Sequence, residues 1–279
     1  MSANTNSSTA VEKAEEYYNS NDADEFYFKI WGGEHIHVGI YNYQNEPIKI
    51  ASQRIVPRMA EQLNLDVFKK VLDLGSGYGG GARYLAKNFG CHVTCLNLSE
   101  RQNERNQQFN MERGLDHLVD VVYGSFEEIP LEDNSFDVVW SQDAMVHSAN
   151  RDQVVAEAHR VLKPGGHFIF TDLMQDDNIP NGVLGPVLER IHLDSLGSFE
   201  FYWNEARKNG FELVSIDNMS QHLVTHYDRV RQETEKQYDE IVDACGKEYI
   251  DRMIQGLNQW VKAGHNGHLS WGILHFKKS

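Results

Sequence analysis

Short apolar runs alternate with helix-like segments through the middle of the chain, between residues 69 and 174. Five such runs are present, and in order they read KKVLDLG, HVTCLNLS, LVDVVYGS, FDVVWSQDA and GHFIFTDLM. Strands that alternate with helices in this way form a parallel sheet with helices on both faces. Two further strand-like runs, FELVSIDNMS and HLSWGILHFKK, lie closer to the C-terminus. The pattern therefore predicts an α/β fold.

The charge and the cysteines restrict the class of protein. The chain has 26 Lys and Arg against 41 Asp and Glu, a formal net charge of −15, and its basic residues are scattered among acids. Such a surface repels nucleic acids and anionic membranes. Cys91 and Cys95 lie four residues apart with no second pair to complete a metal site, so we interpret them and Cys245 as buried, reduced thiols. With a polar N-terminus and no apolar run of about 20 residues, a cytoplasmic protein is expected.

A glycine-rich turn, VLDLGSGYGGGARYLA, follows the first predicted strand. Gly75 and Gly77 allow a tight turn whose backbone N–H groups can approach a ligand. Together with Gly80 they also satisfy the G-x-G-x-x-G spacing of nicotinamide enzymes. However, Asp73 precedes the first glycine by two residues, and D-L-G-S-G-x-G-G with VLKPGGHFIFTD resembles two motifs of the class I S-adenosylmethionine methyltransferases. The pair of motifs favours a methyltransferase over an oxidoreductase.

That resemblance implies a Rossmann-like fold with a seven-stranded, mostly parallel sheet, and S-adenosylmethionine as cofactor. The second strand ends at Asn97, which either accepts from the ribose hydroxyls or only caps the next helix. Phe126 either contacts adenine or packs in the core. The full set of residues expected at the cofactor is Ile36, His37, Asp73, Gly75, Ser76, Gly77, Asn97, Leu98, Gln102, Ser125, Phe126 and Gln142.

The fourth strand-like run leads into WSQDAMVHSAN, residues 140–150. Polar residues in the loop after a buried strand are frequent binding or catalytic positions. Gln142, Asp143 and His147 occupy this loop. We therefore expect a ligand at this end of the sheet.

Several segments outside the glycine turn carry a narrower resemblance. These are FYFKIWGGEHIHVGIY, CLNLSERQNERN, GSFEEIP, WSQDAMVHS, GVLGPVLERIHLDSLGS and SWGILHF. They resemble the sarcosine/dimethylglycine N-methyltransferases that make glycine betaine and, more distantly, the phosphoethanolamine N-methyltransferases. The resemblance implies in-line methyl transfer to dimethylglycine and sarcosine. The alternative substrate is phosphoethanolamine or another small amine. Orientation of the amine and exclusion of water are then the main needs of the site.

The same resemblance implies roles for individual residues. In the phosphoethanolamine enzymes a lid tyrosine pairs with a histidine after the fourth strand. The histidine corresponds to His147, and the tyrosine corresponds to Tyr18, with Tyr17 as the alternate. Asp143 is implied as a catalytic neighbour of the amine. Arg190 and His192 align with residues that hold the substrate's anionic group. Leu173 departs from the phosphoethanolamine pattern, where an aromatic hydroxyl contacts phosphate, and this departure fits a smaller anion.

The chain divides accordingly into a disordered tail, residues 1–10, and one methyltransferase domain, residues 11–279. Residues 11–45 form an N-terminal helical lid, and residues 175–205 and 222–265 form helical caps, the second before the last strand. Tyr27 and Trp31 are assigned to the substrate, although with Tyr202 and Trp203 they either form an aromatic cage or pack the lid.

Two further groups have plainer interpretations. His35 and His37 lie on one face of an extended segment, yet no third ligand is indicated, so no metal is predicted. Arg101 and Arg105 are interpreted as surface charges.

The expected partner is a small-molecule amine, with no nucleic acid and no membrane, and the sequence does not decide between monomer and dimer.

Overall fold

A seven-stranded sheet forms the centre of the computed structural model. The structure describes residue 19 and the ranges 21–191, 193 and 195–279, without the side chains of residues 21, 190 and 191. The strands are β1 Lys70–Leu74, β2 His92–Asn97, β3 Val119–Tyr123, β4 Phe136–Gln142, β5 Leu162–Gln175, β6 Phe211–Asn218 and β7 Leu269–Lys278. Their order is β3-β2-β1-β4-β5-β7-β6, with β7 antiparallel to both of its neighbours and the other pairs parallel. The predicted seven-stranded, mostly parallel sheet is confirmed.

Helices cover both faces of this sheet. The described helices are α1 Asn21–Ile30, α2 Ile48–Ala60, α3 Gly80–Phe89, α4 Glu100–Glu112, α5 Arg151–Val161, α6 Gly185–Ile191, α7 Phe199–Lys208, α8 Ser220–Lys236, α9 Tyr238–Cys245 and α10 Lys247–His265. Leu72, Leu74 and Phe170 pack on one face of the sheet with α5 and α7. Val71, Trp140 and Ile169 pack on the other face with apolar residues of α1, α2, α3, α6, α8, α9 and α10.

The two predicted helical caps each contain more than one helix. Residues 175–205 include α6 and α7, and residues 222–265 are divided among α8, α9 and α10, the first of which begins at Ser220. The three cysteines are buried and free, as predicted. Among the described residues, no helix is both long and apolar enough to cross a membrane.

Helix α1 is fixed to the body of the protein by a buried carboxylate. Asp24, 1% exposed, accepts from the Tyr78 hydroxyl at 2.6 Å, from Arg101 at 2.8 Å and from Arg105 at 2.5 Å. The interpretation of Arg101 and Arg105 as surface charges was therefore wrong. Their position on one face of α4, four residues apart, allows both guanidinium groups to reach the same carboxylate.

The order of the strands determines where a ligand can bind. The chain passes from β1 to β2 in one direction and reaches β4 on the other side of β1. In open α/β sheets, ligands bind at such a reversal, outside the carboxyl ends of the strands. The glycine turn after β1 and the polar loop after β4 meet at this point.

Candidate active site

Two glycines shape the turn after β1. Gly75 and Gly77 have φ angles of +68° and +53°, a region that favours glycine. A Cβ at Gly75 would lie 2.3 Å from the Ala144 Cβ, and one at Gly77 would lie 3.3 Å from the Ile36 Cδ1. The turn can therefore pack against both the loop after β4 and the loop after α1 only because side chains are absent.

A first pocket of about 740 Å³ opens beside this turn. Eight of the twelve residues that the sequence assigned to a cofactor line it, and they are Ile36, Gly75, Gly77, Asn97, Leu98, Gln102, Phe126 and Gln142. This pocket therefore coincides with most of the predicted cofactor residues. His147 and Asp143 line the same pocket.

The other four predicted cofactor residues lie next to this pocket without lining it. Asp73 is buried within β1, where burial raises the pKa of its carboxyl to about 7 and the Arg83 charge opposes that rise. Ser76 lies inside the glycine turn with its hydroxyl buried. The Ser125 hydroxyl accepts from the Glu127 N–H at 3.1 Å and so shapes the turn after β3. His37 lines a different pocket.

Asn97 does not cap helix α4. Ser99 is the N-cap, and its hydroxyl accepts from the Gln102 N–H at 3.2 Å. The Asn97 amide nitrogen donates to Gln102 Oε1 at 3.1 Å, so its carbonyl oxygen is the atom left for a ligand hydroxyl. The capping alternative is excluded, and the geometry leaves the ribose interpretation in place.

Gln142 gives a test of whether the first pocket suits a ligand with a carboxylate. Its Oε1 accepts from Trp140 Nε1 at 3.1 Å, while its Nε2 is buried and has no hydrogen-bond partner. An unpaired buried donor is costly unless a ligand satisfies it. Since Gln142 lines the pocket, its free N–H groups suit the amino-acid end of S-adenosylmethionine.

A second pocket, of about 460 Å³, lies beside the first and has aromatic walls. Tyr27 and Trp31 lie in one wall with their ring centroids 5.0 Å apart. Tyr227 of α8 lies in the wall as well, edge-on to Trp31 at 5.9 Å and stacked on Trp260 at 4.6 Å. Ile36, Asp143 and His147 line both pockets. The two pockets therefore meet at these three residues.

Only half of the expected aromatic set reaches the second pocket. Tyr202 is fully buried and donates from its hydroxyl to Asp172, and Trp203 is 45% exposed. Neither lines either pocket. A cage built from Tyr27, Trp31, Tyr202 and Trp203 together is therefore excluded.

Asp143 lies at the junction of the pockets in a strained conformation. Its φ angle is +54°. Residues other than glycine seldom adopt such an angle, and those that do are often found at functional sites. Its two carboxylate oxygens accept from the Val38 N–H at 2.7 Å and from Trp271 Nε1 at 2.8 Å. Burial raises the pKa of the carboxyl to about 6, and the hydrogen bonds partly oppose that rise. Asp143 thus ties the loop after α1 to β7.

His147 ends a single 3₁₀ turn, Met145–His147, that follows β4. His147 lines both pockets. Tyr18, its predicted partner, and His192 lie outside the described residues, and Arg190 belongs to α6 without a described side chain. The residues that line the two pockets in the described part of the chain include no Arg or Lys.

His35 and His37 contact each other, with His35 Nδ1 3.3 Å from His37 Nε2. Burial lowers the pKa of His35 to about 4 and that of His37 well below its usual value, so both rings are neutral at pH 7. Within the described ranges, no group of three or more His, Cys, Asp or Glu is placed to hold a metal ion.

Sequence reasoning missed six residues that line the pockets, namely Ser99, Glu127 and Ala144 in the first and Val38, Val146 and Tyr227 in the second. The capping pattern S-E-R-Q at residues 99–102 marks Ser99 as a helix start and was available in the sequence. Glu127 accepts from Ser148 at 2.6 Å and so joins the turns after β3 and β4. For Tyr227, far along the chain on a cap helix, no local signal exists.

Comparisons with known proteins also indicate a methyltransferase. A family model described as a methyltransferase domain matches residues 72–170. A sarcosine/dimethylglycine N-methyltransferase from Aphanothece halophytica is 54% identical over 98% of this chain and 99% of its own length. One from Halorhodospira halochloris is 51% identical over 96% and 97%. A crystal structure of a candidate sarcosine dimethylglycine methyltransferase from Galdieria sulphuraria superimposes with a TM-score of 0.90 at 42% identity, covering 94% of this chain and 99% of the other.

Proposed function

Because the chain belongs to the sarcosine/dimethylglycine N-methyltransferases, we propose that it converts dimethylglycine, and sarcosine through dimethylglycine, to glycine betaine. It is an S-adenosylmethionine-dependent N-methyltransferase. We propose a small amine as substrate because the two pockets meet at Asp143 and His147. A reacting nitrogen at that junction lies at the boundary of the cofactor pocket.

The first pocket is the proposed cofactor site. The Gly75–Gly77 turn and Gln142 would hold the amino-acid end, Asn97 the ribose and Phe126 the adenine. When bound, S-adenosylmethionine supplies an electrophilic methyl group on a sulfonium centre. Ile36, from the loop after α1, closes this pocket toward the second and helps to exclude water from the junction.

The second pocket is the proposed amine site. Tyr27, Trp31 and Tyr227 offer aromatic faces, which attract a cationic methylated nitrogen. Asp143 adds a carboxylate at the point where that positive charge develops. A site that stabilises the cationic product more than the neutral amine lowers the barrier to methyl transfer. These residues therefore act by orientation and electrostatics rather than by forming a covalent bond.

The substrate carboxylate needs a partner outside the described lining residues. We assign it to Arg190, at the end of α6, and to His192, two residues further along the chain, because a guanidinium binds a carboxylate through two parallel hydrogen bonds. Tyr18 is assigned to close the lid against His147. His147 orients the nitrogen and accepts the proton that the ammonium form of either substrate must lose before its lone pair can attack the methyl group.

A cytoplasmic location belongs to the same proposal. Three buried thiols that form no disulfide suit a reducing compartment.

The test is a direct assay of the purified protein. Glycine, sarcosine, dimethylglycine and phosphoethanolamine are each incubated with S-adenosylmethionine that carries a ¹³C-labelled methyl group, and the products are followed by mass. We expect labelled betaine from dimethylglycine, doubly labelled betaine from sarcosine, and no product from glycine. Failure to form betaine from dimethylglycine contradicts the proposal, and turnover only on phosphoethanolamine assigns the enzyme to another substrate class.

A matched pair of variants tests the residue assignment. His147→Ala is expected to lower kcat by about 10²-fold or more, within the usual range for a positioned acid–base group. His117→Ala, which alters an exposed histidine on the connection to β3, should retain full activity. Equal activity of the two variants would remove His147 from the mechanism.

A further inference from the structure

The turn that carries His147 is held at the preceding residue, Val146, through both of its backbone polar groups. The Val146 N–H donates to Asp172 Oδ1 at 2.9 Å, and its carbonyl accepts from Arg151 at 2.9 Å. The turn itself supplies two backbone hydrogen bonds, from the His147 N–H at 3.1 Å and the Ser148 N–H at 3.0 Å. Since so short a turn has little rigidity of its own, these outside contacts help to set where His147 lies.

Asp172 is oriented by a second residue. The Tyr202 hydroxyl of α7 donates to Asp172 Oδ2 at 2.5 Å, and both side chains are fully buried. Burial raises the pKa of the Asp172 carboxyl to about 7, so its ionised form is unfavourable at this position. A buried carboxyl that bonds a tyrosine and one backbone N–H is a costly way to stabilise a core. Its placement is better explained by control of the turn.

The position of Arg151 is also unfavourable for a charged side chain. It is the first residue of α5, where the helix dipole disfavours a cation, and it is only 6% exposed. Its Nε is buried without a hydrogen-bond partner. The guanidinium nitrogen that bonds the Val146 carbonyl also donates to the Ser195 carbonyl at 2.8 Å. Arg151 thus joins the His147 turn to the segment that follows α6.

We propose that Asp172, Tyr202 and Arg151, called here the Val146 clamp, are positioning residues that hold His147 at the junction of the two pockets. None of the three lines either pocket, so each acts through the turn rather than on the ligands. The inference rests on the proposed function, since it concerns how His147 is presented to the amine. A displacement of about 1 Å at a reacting centre can cost about 10²-fold in rate.

Tyr202→Phe and Asp172→Asn test the clamp, each made in the natural protein and in the His147→Ala background. In the natural protein we expect kcat for dimethylglycine to fall by about 10- to 100-fold. In the His147→Ala background the same substitutions should change kcat by less than about threefold, because the residue they position is absent. Tyr238→Phe is the matched control, since it removes a 2.6 Å hydroxyl bond to Asp251 on the surface.

Two measurements separate positioning from general damage. Calorimetric binding of S-adenosylhomocysteine should stay within about threefold of the natural protein, since the clamp does not line the first pocket. Arg151→Lys should keep more activity than Arg151→Met, because a lysine can still donate to the Val146 carbonyl. An equal loss of kcat with and without His147, or a loss confined to folding and cofactor binding, overturns the clamp. Absence of betaine from the natural protein would instead contradict the proposed function and leave the geometry of the turn unaffected.

Discussion

At the scale of single residues, Asn97, which we propose binds the ribose hydroxyls, is an uncharged group, and a carboxylate at this position would bind them more strongly. Its amide nitrogen is committed to Gln102, which leaves one carbonyl oxygen for the ligand. Asn97→Asp is expected to tighten S-adenosylhomocysteine binding by about fivefold, because a hydrogen bond to an ionised acceptor is roughly twice as strong as a neutral one. The Gln102 amide can rotate to donate to the new carboxylate.

Isothermal titration calorimetry measures this change. Asn88→Asp, on the exposed side of α3, adds the same charge away from the pocket and should leave the affinity unchanged. Unchanged or weaker binding by Asn97→Asp would mean that residue 97 does not contact the ribose.

Asp73 gives a residue-scale prediction about pH. The pKa of its carboxyl is about 7 in the folded protein against an ordinary value of 3.8, so the folded state holds the proton more tightly. Stability therefore falls as the pH rises from about 4 to about 7. Asp73→Asn lacks this loss, and its free energy of unfolding relative to the natural protein should rise by about 1–3 kcal/mol between pH 5 and pH 8.

Urea unfolding at the two pH values measures the difference. The contributions of Asp143 and Asp172 are common to both proteins and cancel in the comparison. A difference that is constant with pH would show that Asp73 is ionised throughout this range.

At the scale of elements, the loop between α1 and α2 is attached to the core through Glu34. Its carboxylate accepts from Arg83 at 2.6 Å and also pairs with Arg113. The Arg113 and Arg83 guanidinium groups together lower the pKa of Glu34 to about 2, against the opposing effect of burial. The attachment is thus complete above pH 4.5 and is lost as the pH falls toward 2.

Glu34→Gln should loosen this loop and, with it, Ile36 over the first pocket. We expect S-adenosylhomocysteine to dissociate about three- to tenfold faster, because Arg83, only 3% exposed, loses its countercharge. Stopped-flow displacement measures the rate. Glu205→Gln breaks a pair with Lys208 on α7, and such surface pairs contribute little. A rate equal to that of this control would mean that the loop does not limit release.

The elements also show what a sequence can reveal. The five central strands and the two binding loops were predictable, because buried runs and glycine or polar turns leave strong local patterns. The division of the second cap into three helices was not, since α8 acquires its packing from α10 and β7, which lie far away in the sequence. Tyr227 likewise joins Trp31 only through tertiary packing, and the partners of Arg101 and Arg105 lie on a different helix.

At the scale of the whole molecule, the formal charge of −15 implies self-repulsion in the folded state. Salt screens this repulsion over about 10 Å at 0.1 M. The melting temperature should therefore rise by a few degrees, roughly, between 10 mM and 0.5 M NaCl. Differential scanning calorimetry measures it. A fall instead would show that the ion pairs of Asp24 and Glu34, which attach α1 and the following loop, outweigh the repulsion.

The hydrogen bond from Val38 to Asp143 has a consequence for the timing of the catalytic cycle. The loop held by this bond carries Ile36, which lines both pockets, so we expect the loop to open before either product leaves. Departure of betaine and of S-adenosylhomocysteine would then share one rate-limiting opening. Successive methylations of one sarcosine molecule would require two such openings, and dimethylglycine should accumulate in solution before betaine does.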